Sequence, residues 1–407
     1  MRISLVHPLK HHAYKTAYGI KKSRHELSCV LGFYNKYNLT QGFNVQSKII
    51  NRLKGYRDER IAEHVVTSDY VNLLFLLTKF NNKFYRKFLE QFEKFALEEI
   101  KKADGIYFLQ DYSQNLIDFA RQEEKYIIYE QIMPCGYEQR ELIFNECKSL
   151  KIDASLYTNK FFSQEKIELH YKNIRSADLI INASQLSHSV AQEALGSLER
   201  KNIILPYGSN PINVRDNDID EYLQIKYSSI KNRKLKILYV GSLSVLKGTH
   251  YLIDLIEHLK HYNIEFGIVG LPNQIQDQIF LDKINNLNNV NYYGAIPHSK
   301  ISKVYKEYDI FLLPSLVEGF GMVTLEAMSY GLPCIVNENC KSVVNNGYNG
   351  FIVEKGNTSA LIDILKEVMD KKECIIELSK NAIQTSQEYT WDRYSDSLAA
   401  LLNITFD

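Results

Sequence analysis

The sequence predicts an α/β protein with parallel sheets. Short apolar runs such as Ile3–Val6, Tyr126–Glu130 and Ile310–Leu313 alternate with longer stretches of helical character, the pattern of strand–helix–strand units. Twice an apolar run passes through a glycine-bearing loop straight into a helical stretch, at 236–249 and at 310–323. With 407 residues the chain exceeds what one hydrophobic core usually organises, so two or three domains are expected.

In chain order, Ile3–Val6 reads as a buried strand ended by Pro8. The following loop, taken as Leu9–Gly19, carries His11, His12 and Lys15. In a doubly wound sheet this loop leaves the carboxyl edge of a strand, where ligands bind, so it is read as acceptor-facing or simply solvated. His7, His11 and His12 lack an Asp, Glu or Cys partner at ligand spacing nearby, which argues against a metal site. Residues 70–102 read as helical, Ala103–Leu109 as a strand, Ser113–Glu124 as a helix and Tyr126–Glu130 as a strand. Glu130 ends that strand and is either an active-site carboxylate or one held by a nearby base or by backbone. Asp178–Asn182 and Ile203–Leu205 complete the first set of strands. Turn formers crowd Pro206–Pro211, and 211–234 is polar enough to read as a linker. Its Asp216-Asn217-Asp218 follows no strand and reads as a solvated turn. A second set of strands begins at Lys236–Val240, continues through Phe266–Val269, Val290–Tyr293 and Ile310–Leu313, and ends with Cys334–Val336 and Phe351–Val353. Thr358–Met369 is a helix, and Thr390 is a plausible N-cap for the last one.

Composition removes several classes. With 49 basic against 48 acidic residues the net charge is +1, so no global attraction draws the chain to nucleic acid. The 6 cysteines form no C-x-x-C pair, which suggests reduced thiols in a cytosolic protein. The N-terminal apolar run ends in His7 and Pro8 and is too short for a signal peptide, and Leu73–Leu77 falls well short of the about 20 residues a membrane span needs. A soluble or peripheral protein is expected. Residues 79–95 place Phe80, Phe84, Phe88, Phe92 and Phe95 along one helical face, with Lys79, Lys83, Arg86, Lys87 and Lys94 around it. Such a helix either docks on an anionic membrane or packs its stripe on the protein's own sheet.

Chemistry concentrates in Pro314–Pro333. After the strand come Glu318-Gly319-Phe320-Gly321 and then a helix opening near Met322 or Val323 and stopping at Gly331. Unpaired N–H groups and the dipole at a helix N-terminus favour an anion, and glycines admit it to the backbone. Glu318 and Glu326 bracket the turn, and carboxylates suit hydroxyls rather than phosphates. A ligand with phosphate between two hydroxyl-bearing ends, such as a nucleotide-sugar, satisfies both.

This Glu, Gly-Phe-Gly and Glu arrangement resembles the E-x7-E signature of the retaining family-4 glycosyltransferases. The resemblance implies the GT-B fold: two Rossmann-like domains facing a central cleft, with the C-terminal helix crossing back to the first. It places Glu318 on hydroxyls of the donor sugar, backbone of Gly319, Phe320, Gly321, Met322 and Val323 along sugar and phosphate, and Glu326 on the ribose. Gly241–Gly248 resembles the family's phosphate loop, where Lys247 matches and Ser242, after Gly241, stands where an arginine is usual. Gly294-Ala295-Ile296-Pro297 resembles the turn whose backbone, at Ile296, reads the nucleobase. The implied activity is transfer of a sugar, with retention, from a UDP- or GDP-sugar to a hydroxyl of a glycan or lipid-linked acceptor, with Glu318 and Lys247 catalytic and no cofactor or metal. In the mechanism commonly proposed for the family, the leaving phosphate takes the acceptor proton on the same face. The implied units are 1–210 with 388–407 on the acceptor side, a linker at 211–234, and a nucleotide-sugar unit at 235–387; His12, Lys15 and Glu130 are the acceptor-side candidates. Other nucleotide-sugar chemistry on this fold, of epimerase or phosphorylase type, and a degenerate nucleotide-binding protein are the rival readings. Cytoplasmic location follows, with 79–95 as a contact for the inner membrane face.

Overall fold

The structure is a computed structural model that describes residues 1–9, 12–35, 56–78, 83–110, 113–211 and 218–406. The strands are β1 (Arg2–His7), β2 (Glu26–Leu31), β3 (Val65–Val66), β4 (Gly105–Leu109), β5 (Tyr126–Gln131), β6 (Leu179–Asn182), β7 (Lys201–Ile204), β8 (Leu235–Val240), β9 (Ile264–Val269), β10 (Val290–Gly294), β11 (Ile310–Leu313), β12 (Cys334–Asn337) and β13 (Gly350–Val353). They form two sheets, β3-β2-β1-β4-β5-β6-β7 and β10-β9-β8-β11-β12-β13, and every pairing is parallel. Both run outward in each direction from their first strand, the doubly wound order, so each has a switch point beside that strand: between β1 and β4, and between β8 and β11. Side chains on both faces of the central strands are buried, as helix-covered parallel strands require: β1 is buried from Ile3 to His7 and β11 throughout, while the edge strands β7 and β10 are partly exposed.

Helix starts follow local chemistry. Ser113, Ser163, Ser184 and Thr390 each accept a hydrogen bond from an N–H in the first turn of the helix they precede. The last of these helices, Trp391–Thr405, crosses from the second sheet unit back to the first. It lies along the helix Ala13–Lys22, where Lys22 pairs with Asp396 at 2.5 Å and Arg24 donates to the Asn403 carbonyl at 2.8 Å.

Three expectations change. The segment read as a loop to Gly19 is helical from Ala13, so Lys15 sits in a first helical turn and His12 at its N-cap. Within the stretch read as a linker, Ile219–Tyr227 is a helix with Ile219, Leu223 and Tyr227 buried; Tyr227 donates to the Gly331 carbonyl at 2.9 Å. Asp220, Glu221 and Gln224 on the other face of this helix are exposed, which made it look like linker. The aromatic stripe is core rather than a membrane surface: in the helix Lys83–Ile100, Phe88 and Phe92 are 0% exposed, and Phe84 and Phe95 are partly buried against the same cluster. The bases Arg86, Lys87 and Lys94 point outward. Phe80, His11, Asp216 and Asn217 lie outside the described residues. Among the described residues, no helix is long and apolar enough to cross a membrane.

Removing a buried ring from this cluster leaves a cavity. Phe92→Ala should therefore lower unfolding free energy by roughly 3–5 kcal/mol in urea titration, while Arg86→Ala should change it by less than about 0.5 kcal/mol. Near-equal effects would mean that the stripe is not core.

Candidate active site

The loops after β8 and β11 leave the carboxyl ends of the strands flanking the second switch point. Gly241 is tied to β9 by its N–H to the Val269 carbonyl at 3.0 Å, and Tyr239 donates to the Ser242 carbonyl at 2.8 Å. The loop then enters the helix Thr249–His258. After β11, Gly321 is the N-cap of the helix Met322–Ser329 with φ 80°, a left-handed conformation that glycine adopts without strain. Gly319 is needed for a different reason: a Cβ there would lie 2.0 Å from the Ile132 carbonyl oxygen. That carbonyl follows β5 of the first sheet, so the turn touches the opposite unit.

The two loops meet through their charges. Lys247 Nζ donates to Glu318 Oε2 in a half-buried ion pair. The cation expected on phosphate and the carboxylate expected on sugar hydroxyls are thus each other's partners. One helical turn further in, Glu326 accepts from Tyr305 OH and faces His298 Nε2, both at 3.2 Å. Met322 and Val323 form the first helical turn, with Phe320 buried beneath. Ile296 is partly buried against the core just beyond β10.

On the first unit, Glu130 at the end of β5 is 0% exposed. Its carboxylate receives Tyr107 OH at 2.7 Å, Thr16 Oγ1 at 3.4 Å and Tyr394 OH at 3.2 and 3.3 Å, and lies 2.7 Å from His12 Nε2. Burial pushes this carboxyl up, but His12 and the tyrosine hydroxyls outweigh it and hold it below the ordinary 4.5. An ionised carboxylate only accepts, so His12 Nε2 carries the hydrogen of that contact. The His12 ring packs on Tyr207, with centroids 4.4 Å apart, and stacks on Trp391 at 6.1 Å.

Between the units lies a cleft of about 530 Å³. His12, Lys15, Tyr207 and Ser209 line it from one side, Met322, Glu326, Tyr305 and His298 from the other, with Trp391 at the junction. Of the residues singled out from sequence, the fold brings His12, Lys15, Met322 and Glu326 to this cleft, puts Glu130 directly behind His12, and leaves Gly241, Ser242, Lys247, Ile296, Glu318, Gly319, Phe320, Gly321 and Val323 off its lining. Tyr107, Tyr207, Trp391 and Tyr394 were not anticipated. The lone Trp391 beside a capping Thr390 was the one signal available; the tyrosines are anonymous among 28.

Other contacts hold the units together. Tyr157 OH donates to Asp277 and accepts from the Val245 N–H at 3.1 Å. Glu146 accepts from Tyr251 OH at 2.6 Å and faces His250 Nε2 at 3.2 Å. Burial pushes the Asp277 carboxyl up, whereas His250 and Tyr251 hold that of Glu146 down against burial.

Residues 221–388 match the family model described as "Glycosyl transferases group 1". The chain is 30% identical over 205 residues to the capsular polysaccharide biosynthesis glycosyltransferase CapM of Staphylococcus aureus, covering 48% of this chain and 53% of CapM. It is 31% identical over 171 residues to the UDP-Gal:alpha-D-GlcNAc-diphosphoundecaprenol alpha-1,3-galactosyltransferase of Escherichia coli, covering 39% and 42%. The matched stretch thus spans about half or less of these two relatives. Across 99% of both chains the fold superimposes on HepE of Anabaena, solved with UDP-glucose, with a TM-score of 0.63 at 19% identity. The chain therefore has the GT-B architecture, and its residues 221–388 are similar to the group 1 glycosyl transferases.

The Glu130 carboxylate has a depressed folded-state pKa, so its stabilising contribution is complete above the ordinary value of 4.5 and is lost as pH falls below it. Melting curves should show the wild type losing Tm on acidification below about pH 4.5 more steeply than Glu130→Gln. Parallel curves would show that Glu130 is not ionised in the fold.

Proposed function

We propose that this protein is a retaining glycosyltransferase that moves a sugar from a UDP- or GDP-sugar to a hydroxyl of a glycan or lipid-linked acceptor. The observation that carries this reading is the convergence of Lys247, Glu318 and the Met322 helix N-terminus at the second switch point, with Glu326 beside them on the cleft wall. A doubly wound sheet binds its ligand at that place, and a helix N-terminus with a lysine suits a diphosphate. In this reading 235–387, with the helix Ile219–Tyr227 packed on it, holds the donor. Residues 1–210 with 388–407 hold the acceptor.

Roles follow from charge. Lys247 and the helix N-terminus stabilise the departing diphosphate, an electrostatic contribution that requires no metal. Glu326 binds ribose hydroxyls, with Tyr305 fixing its carboxylate. Glu318 holds a donor-sugar hydroxyl once the diphosphate has taken Lys247 from it. The turn at Ile296 meets the base. Retention is what the E-x7-E resemblance implies. The named relatives of capsule and undecaprenol-linked glycan synthesis support a polysaccharide role, and free thiols at all 6 cysteines fit a reducing cytoplasm.

Thermal shift against nucleoside diphosphates tests the site, since a ligand at 100 times its Kd stabilises by about 2.7 kcal/mol. Product analysis then separates transfer from epimerisation or phosphorolysis. Glu326→Ala should weaken UDP or GDP binding by roughly 1–3 kcal/mol through lost charged hydrogen bonds. Wild-type affinity in that variant would remove the ribose assignment.

The ion pair gives a second outcome. Glu318→Gln releases Lys247 to the diphosphate, so nucleotide affinity should hold or rise while kcat falls. Lys247→Ala should reduce kcat/KM far more than Ser242→Ala, because the serine supplies no charge. Equal losses from those two changes would contradict the assigned phosphate loop.

A further inference from the structure

We infer that His12 is the acceptor-binding residue of the cleft, taking a hydrogen bond from an acceptor hydroxyl through Nδ1, and that Glu130 and Tyr394 are positioning residues acting through it. This rests on the reading that the donor occupies the second-unit wall.

Three observations converge. The Nε2 edge of His12 is committed to Glu130, 2.7 Å away, and the ring lines the cleft opposite Met322 and Glu326. With hydrogen on Nε2, a neutral ring keeps its lone pair on Nδ1, so the edge not held by Glu130 is a hydrogen-bond acceptor. A sugar hydroxyl donates to such a group; a phosphate oxygen would not. Tyr207, tilted against the ring with centroids 4.4 Å apart, and Trp391, near-parallel to it at 6.1 Å, restrict its rotation. Ser209 Oγ, 3% exposed and lining the same cleft, has no hydrogen-bond partner. A second hydroxyl of the same acceptor would satisfy it.

The carboxylate behind His12 is assembled from distant parts of the chain. Tyr107 comes from β4, Thr16 from the helix Ala13–Lys22, and Tyr394 from the crossover helix. Trp391 and Tyr394 thus make the C-terminal helix part of the acceptor wall, and Tyr394 OH also meets Thr16 Oγ1 at 3.1 Å.

The test pairs two variants that keep a partner in the network. His12→Gln retains an N–H for Glu130 but loses the ring nitrogen toward the cleft; Glu130→Gln retains an oxygen for Nε2 but loses the charge. UDP-glucose, UDP-galactose and GDP-mannose serve as donors, and octyl glucoside, galactoside and N-acetylglucosaminide as acceptor probes. His12→Gln should raise acceptor KM about tenfold and leave UDP or GDP affinity by calorimetry within about twofold. Glu130→Gln, which keeps the ring but weakens its hold, should raise acceptor KM by a smaller factor and leave nucleotide affinity equally untouched. Acceptor KM unchanged in His12→Gln overturns the inference while leaving the donor site standing. Loss of nucleotide affinity equal to the loss for acceptor would place His12 on the donor instead. If neither UDP nor GDP binds the wild type, the underlying reading falls and takes the inference with it.

Discussion

An ionised carboxylate shut away from water must be surrounded by donors, and this molecule is arranged around one that is. Glu130 collects its donors from β4, from the first helix and from the last, and through His12 it reaches the cleft. Losing any one of these would leave charge uncompensated in a place with no solvent to replace it, which is far more costly than losing an exposed pair. The C-terminal helix is thereby held where it is by more than the apolar contacts of Leu398 and Leu402. Its return to the first unit has an electrostatic reason, and the aromatic wall of the cleft comes with it.

The second unit has its own version of the same economy of partners. Lys247 and Glu318 neutralise each other on neighbouring loops, while Glu326 leans on Tyr305 and His298. In the proposed function both pairings are between groups that a nucleotide-sugar engages, so binding in that reading is an exchange of partners rather than the filling of vacant charges. Such an exchange costs less than ordering free side chains and favours a ligand that can satisfy both members at once. Contact between the units is close at Gly319, which has no room for a Cβ against Ile132, and is reinforced by Tyr157 with Asp277 and Glu146 with Tyr251.

Much of the architecture was legible because it is local. Ile310–Leu313, Gly321 and the helix to Ser329 follow from apolar run length, glycine placement and helix-stop residues, and the structure places them as read. The stretch that matches the group 1 model, 221–388, covers the part of the chain where those motifs were densest. Misreadings came where local pattern is ambiguous. Ala13–Lys22 carries no acidic residue in its first turn and no side-chain cap, so its start gave no signal. Ile219–Tyr227 shows only a narrow buried edge, and its polar face resembled linker. The stripe of Phe88 and Phe92 was correctly seen as one face of a helix, but periodicity cannot say whether a face meets lipid or a sheet.

By itself, then, the sequence determined the strand and helix segments around the two glycine-bearing loops, and singled out Lys247, Glu318 and Glu326 as candidates on them, because hydrogen bonding within a helix and burial of a short run are settled by near neighbours. Only the tertiary structure decided that Lys247 and Glu318 face each other, that His12 fronts the cleft with Glu130 behind it, and that Tyr394 and Trp391 belong to that wall. Those pairings join residues 71, 118 and 264 positions apart. No local propensity encodes such distances; they follow from two doubly wound sheets whose carboxyl edges turn toward one another, and from the need of a buried charge to find its donors wherever the chain brings them.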